Sequence, residues 1–181
     1  MASDALDRLL REALSAIGTA TDGLMGGQLA PVAWHNEVAA SLFEHYLAAF
    51  ALASGKGVDD PLTLREAKRT MQEQLDYLDG FTNDIEAGRY QDRDDALRAR
   101  AELYAASLSG VWYRGQHADW ELPFVPGDGS TPCGGRCNCS IRVVDNGDRT
   151  GTMTWTLGGD EGTHCDTCPA RAGDHEVRRR S

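Results

Sequence analysis

The sequence predicts a mainly α fold: an N-terminal antiparallel helical bundle of about four helices, followed by a small β-hairpin module. Three observations lead there. Apolar residues recur at steps of three and four over most of the first 115 residues, the spacing of one helix face. All five cysteines fall between Cys133 and Cys168. An Asn146-Gly147 pair separates two segments in which apolar and polar residues alternate, the strongest short-range hairpin signal. With 181 residues, 41% of them hydrophobic and 25% charged, the chain has a globular composition and room for one domain with an appended module.

The helices read in order. Leu6, Leu9, Leu10, Ala13, Leu14 and Ile17 form an amphipathic stripe, with Ser3 placed to cap its start and Gly18 to stop it. A Gly-rich break is expected from Thr21 to Gly27. Pro31 suits a first helical turn, and Val38, Leu42, Phe43, Tyr46, Leu47 and Phe50 continue from it to a stop before Gly55. Thr63-Leu-Arg-Glu66 has the form of a capping box and opens a third stripe of Leu64, Ala67, Met71, Leu75, Leu78, Phe81 and Ile85, ended by Gly88. Asp92, Asp94 and Asp95 favour the positive end of a fourth helix. Its inward positions are Leu97, Ala101, Tyr104, Leu108 and Val111 or Trp112. Each stripe must face another, because apolar area left in water forfeits roughly 25 cal/mol per Å².

The chain thus divides into a bundle (1–115), a Pro/Gly-rich linker (116–132) and a Cys-rich hairpin module with a basic tail (133–181). The linker holds three of the six prolines and should form neither helix nor central strand. Arg178-Arg179-Arg180 reads as a solvated, frayed end.

Charge excludes several functions. The formal net charge is −10, which argues against nucleic acid or an anionic membrane as the main partner. No apolar run reaches the ~20 residues of a membrane span, and the N-terminal stretch lacks the pattern of a signal peptide. A cytosolic setting follows, in which clustered cysteines indicate metal rather than disulfides. The bundle shows no di-iron pattern, paired carboxylates, nucleophile–base arrangement or phosphate loop. His35 and His45 read as surface or capping residues, and no catalytic residue is expected.

The chemistry concentrates in Cys133-Gly-Gly-Arg-Cys137-Asn-Cys139 and His164-Cys165-Asp-Thr-Cys168. Zn²⁺ takes four tetrahedral sulfur or nitrogen ligands, and closely spaced pairs are the usual way to offer them. Cys133, Cys137, Cys165 and Cys168 are the favoured set, with Cys139 as substitute for Cys137, and His164 as a further alternate. His117 and His175 stand behind these. Such an ion supplies folding energy, on the order of 10 kcal/mol in zinc-finger peptides, to a hairpin that alone is marginal. With ligands in excess, the site is structural, not catalytic.

Several of these segments together resemble the minor head, or head-morphogenesis, proteins of tailed bacteriophages. They are Leu75-Asp-Tyr-Leu-Asp-Gly-Phe81 with Ile85-Glu-Ala-Gly88, Ala99-Arg-Ala-Glu-Leu-Tyr104, Pro126-Gly-Asp-Gly-Ser130, Cys137-Asn-Cys139-Ser, and Trp155 followed by His164-Cys165-Asp-Thr-Cys168. In the better-known members the Cys-x-x-Cys comes before the Cys-x-Cys; here the order is reversed. The resemblance implies a noncatalytic structural or assembly protein of a phage or prophage head. It would be handled in the host cytoplasm, placed in the virion near the portal, and partnered by portal or capsid proteins. Trp112, Tyr113, Trp120, Phe124 and Trp155 are candidates for such contacts, although for each the favoured reading is that it covers the bundle end or the hairpin's apolar face. The alternative is a cytosolic zinc-dependent regulator or adaptor, whose nucleic-acid form would use Arg136, Arg142, Arg149, Arg171 and the terminal arginines.

Overall fold

The computed structural model describes residues 2–128, 139–158 and 165–180. The described residues are mostly helical, with five long helices, one short helical turn near the end of the chain and a four-stranded antiparallel sheet. Helix α1 spans Ala2–Met25, α2 Pro31–Ser54, α3 Pro61–Glu86, α4 Asp94–Ala106 and α5 Leu108–Gln116. Strands β1 (Trp120–Glu121), β2 (Ser140–Asp145), β3 (Thr150–Thr156) and β4 (Gly173–Arg179) stand in the order β1-β4-β3-β2.

Helix α2 lies against α1, α3 and α5, and α1 also packs on α4. Trp34, Val38, Leu42, Tyr46, Ala49 and Phe50 of α2 are wholly buried. Its ends follow the sequence: Pro31 opens it, and Gly55 takes the left-handed φ of 71° just past it, the usual place for a C-terminal glycine. The inward positions expected on the fourth stripe, from Leu97 to Val111 and Trp112, are buried.

Four local expectations are corrected. Helix α1 starts ahead of Ser3 and runs through Gly18 and Thr21 to Met25. Thr21 is held there by tertiary contact: its hydroxyl donates to Ile17 O at 2.8 Å and accepts from Trp34 Nε1 at 3.2 Å. The third helix is capped by Asp60, not Thr63. The Asp60 carboxylate accepts the amides of Leu62 and Thr63, so Pro61 is the first helical residue, Thr63 sits inside, and Glu66 is freed for another role. The fourth stripe is two helices, because at Ser107 the hydroxyl bonds back to Tyr104 O at 2.6 Å. Since that bond uses the Ser107 proton, the buried Tyr46 hydroxyl donates to Ser107 Oγ, also at 2.6 Å. Burial raises the pKa of Tyr46, and it pushes that of Tyr104 up to about 12.

The fourth correction concerns the hairpin. Strand β2 ends at Asp145 and β3 begins at Thr150, so four residues, Asn146–Arg149, form the turn, rather than a two-residue Asn-Gly turn. Asp145 accepts the Gly147 amide, and Asp148 accepts both the amide and hydroxyl of Thr150. These side-chain caps favour the longer turn, with positive φ at Gly147 and Arg149.

The terminal arginines do not fray. β4 pairs with β3 on one side and β1 on the other, so the tail forms an inner strand. Beyond it, Arg180 N donates to Asp119 O and Arg180 Nε to Trp120 O. The guanidinium then reaches Glu66 of α3 at 2.8 Å, a carboxylate with only 4% of its side chain exposed. Arg69 holds the same carboxylate from within α3, at 3.3 Å.

A second tie lies at α5. Arg114 donates to Leu122 O at 3.0 Å and faces Asp128 at 3.6 Å. Burial, then Arg69, lower its pKa, while Asp128 works against both. Glycine permits two close approaches here. A Cβ on Gly115 would lie 2.7 Å from Ala53 Cβ and 2.9 Å from Phe50 O, and one on Gly110 would meet the backbone of Asp128 at 2.7 Å.

Three stability measurements check this account. By urea unfolding, Gly115→Ala should lose about 1–3 kcal/mol through overpacking against α2. Gly80→Ala should gain about 0.5–1 kcal/mol, since a methyl group there meets nothing within 4 Å. Arg180→Ala should cost about 2 kcal/mol by removing a charge-assisted bond to a buried carboxylate.

Candidate metal centre

The inner face of the sheet is a second apolar core. Trp120, Leu122, Val125, Cys139, Ile141, Met153, Trp155, Cys168 and Val177 are buried in it, with Tyr113, Phe124, Val143, Leu157 and Cys165 packed against them. The alternation expected on the hairpin is present: Ile141 opposes Trp155, and Val143 opposes Met153. Gly151 is needed beneath Trp120, whose indole carbons would lie 2.6 Å from any Cβ there.

Cys165 and Cys168 sit on one tight turn, with Cys168 N bonded to Cys165 O at 3.1 Å. The turn continues into a single helical turn, Cys168–Arg171, opened by Pro169, and then into β4. The two sulfur atoms are 3.2 Å apart. That exceeds the ~2.05 Å of a disulfide bond, and it is near the roughly 3.8 Å edge of a tetrahedron with 2.3 Å Zn–S bonds. Cys168 is 1% exposed and Cys165 half-buried. The pair fits two places of a thiolate site.

Cys139 is 3% exposed. It continues the inward alternation of Ile141 and Val143, as a core side chain would. Among the described residues, no three His, Cys, Asp or Glu side chains stand where one ion could be shared. Cys139 therefore does not complete a site with Cys165 and Cys168 alone. Cys133, Cys137 and His164 lie outside the described residues.

The surroundings are aromatic. The Arg171 guanidinium lies 4.7 Å from the centre of Phe124 and 5.9 Å from that of Trp155. Phe124 meets Trp155 and His175 edge-on, at 5.5 and 4.9 Å. His175 Nε2 is 2.7 Å from Arg171 O, which can only accept, so that nitrogen carries the proton. His175 thus closes the helical turn onto β4. Of the two bundle histidines, His35 meets Asp79 at 2.7 Å and His45 meets Ser41 O at 2.7 Å.

Two groups that the sequence offered as candidates for partner contact are used internally. Trp112, Trp120 and Trp155 are 6%, 8% and 2% exposed, and Tyr113 and Phe124 pack on the second core. The basic patch is likewise dispersed. Arg171 covers Phe124, Arg179 stacks on Trp120 at 5.5 Å, and Arg180 is bound to Glu66; Arg136 lies outside the described residues. Sequence reasoning missed Glu66 and Arg180 as partners. No local signal pointed to that pairing, because the two residues lie 114 apart in the chain.

No protein-family model, curated protein or solved structure matches the chain. Among the described residues, no helix is long and apolar enough to cross a membrane.

His117 closes α5 beside this core, and burial lowers its pKa below the ordinary 6.5. A depressed histidine favours folding while neutral, so its contribution is complete above 6.5 and falls away as pH drops through the folded value. Stability measured by denaturant between pH 7 and 5 should decline less steeply in His117→Gln than in the wild type.

Proposed function

We propose that the chain is a noncatalytic structural or assembly protein of a phage or prophage head, with a structural zinc site that supports a protein-binding surface. Its partners would be portal or capsid proteins, met in the host cytoplasm and retained in the virion. The observation that carries the metal reading is the Cys165–Cys168 turn, which sets two sulfur atoms 3.2 Å apart at the edge of the sheet's apolar core. The phage assignment rests on the sequence resemblance and goes no further than that.

Zinc, when bound, supplies a cross-link and no reaction. Cys165 and Cys168 would hold it together with Cys133 and Cys137, and Cys139 would serve as core packing. The ion would tie the segment ahead of β2 to the turn ahead of β4, the two stretches whose connections within the sheet are longest. The regulator reading loses support because Arg171, Arg179 and Arg180 are engaged within the fold.

Metal analysis of the purified, reduced protein should find one zinc per chain. Cys133→Ser, Cys137→Ser, Cys165→Ser and Cys168→Ser should each lose it, and Cys139→Ala should keep it at a cost of about 1 kcal/mol in packing. Chelation should remove the sheet's near-ultraviolet tryptophan signal while leaving most of the helical signal. A protein that is metal-free and fully ordered beyond residue 130 would end the zinc reading. Failure to copurify with portal or capsid proteins in an infected host would end the phage reading.

A further inference from the structure

We infer that the groove between α1 and α4 is the interface of a two-fold dimer, occupied by a second copy of this chain. Leu10 and Leu14 form one wall, and Glu102, Leu103, Ala106 and Ser109 the other. Leu14 and Leu103 are large apolar residues left 39% and 40% exposed. Leu14 belongs to the stripe expected to face the core, yet it lies at that stripe's outer edge, where the bundle does not cover it.

The charges around the groove say what covers it. α1 and α4 run antiparallel: Arg98, early in α4, pairs with Asp22, late in α1, and Ser109, just past α4, lines the groove with Leu10. In that register Glu102 stands level with Gly18, and Arg11 stands level with Ser109. Arg11 stands three residues before Leu14 and so beside it on α1, at the rim of the groove; it and Glu102 are therefore on opposite sides and at opposite ends, separated by about 10 Å along the helix axes at 1.5 Å per residue. Both are exposed, and among the described residues neither has an ion-pair partner.

A two-fold axis through the middle of the groove, normal to it, exchanges these two positions. It sets Arg11 of one copy against the partner's Glu102, and Glu102 against the partner's Arg11. Leu14 and Leu103 then close on their counterparts at the centre. One patch supplies both halves of each contact, as an isologous interface requires, with apolar residues inside and opposite charges at the rim. An unrelated basic or acidic partner would match only one end. The inference uses no residue of the metal site and stands whether or not zinc binds.

The test is sedimentation equilibrium on the full chain across a range of concentrations. The expected mass rises from 19.6 kDa toward twice that value. Arg11→Glu and Glu102→Arg should each weaken dimerisation by about tenfold or more, through two like-charge contacts per dimer. The double exchange R11E/E102R should restore it, and Leu14→Glu should abolish it with an unchanged helical spectrum. A wild-type mass that stays at the monomer value overturns the inference. So does a dimer indifferent to both single exchanges, or a double exchange that fails to recover.

Discussion

Six side chains of α2, from Trp34 to Phe50, have no exposed surface at all. A helix buried around so much of its circumference needs neighbours on several sides, and the bundle is the arrangement that supplies them. α1 and α3 flank α2, and α5 crosses where Gly115 lets its backbone approach Phe50 O. The polar groups carried into this core are matched: Trp34 by Thr21, and Tyr46 by Ser107. Each match also shapes a backbone. Thr21 accompanies the continuation of α1 past Gly18, and Ser107 marks the division between α4 and α5.

The sheet depends on the bundle in turn. Its inner face is apolar, and residues 117–128 fold beneath it rather than hanging between two bodies. Trp120, Leu122 and Val125 enter the second core, while Leu122 O accepts from Arg114 of α5. Just past β4, beside β1, Arg180 fastens the sheet to Glu66. A buried carboxylate alone would oppose folding. With two guanidiniums on it, Glu66 instead fixes where the sheet sits on α3. Charge here serves register more than net stability.

Much of this was legible in the residues. The helical stripes, the Pro31 start, the Gly55 stop and the apolar face of the hairpin all follow from short-range pattern, because period and capping are local properties. What was not legible depends on distant partners. Arg178–Arg180 look like a tail until Trp120 and Thr150 are seen beside them in the sheet. Thr63-x-x-Glu66 looks like a capping box because nothing local reveals that Glu66 is bound 114 residues away. Asp60, one residue before Pro61, was the better cap, and the proline at the first helical position was the available sign of it. For the site, the sequence already set Cys139 apart from the favoured four, but gave no physical reason for it. The strand alternation supplies it: Cys139 faces the core, whereas Cys165 and Cys168 share a turn.

Burial of the aromatics bears on how the molecule can meet anything else. Trp112, Trp120 and Trp155 are spent on the two cores, and Arg171 and Arg179 cover aromatic rings, so the residue types that usually anchor an interface are largely withdrawn from the surface. The exposed large hydrophobic side chains are, apart from Tyr77, aliphatic and mostly scattered: Val32, Leu52 and Val58 lie apart in the chain, and Val144 stands on the sheet's outer face. Leu14 and Leu103 differ because two helices bring them to one groove. A chain with net charge −10 repels its own copies at long range, so self-association must use a place where that repulsion is locally reversed. An apolar pair with an arginine and a glutamate at opposite corners meets that requirement, since the two-fold operation turns one surplus of each sign into two attractions.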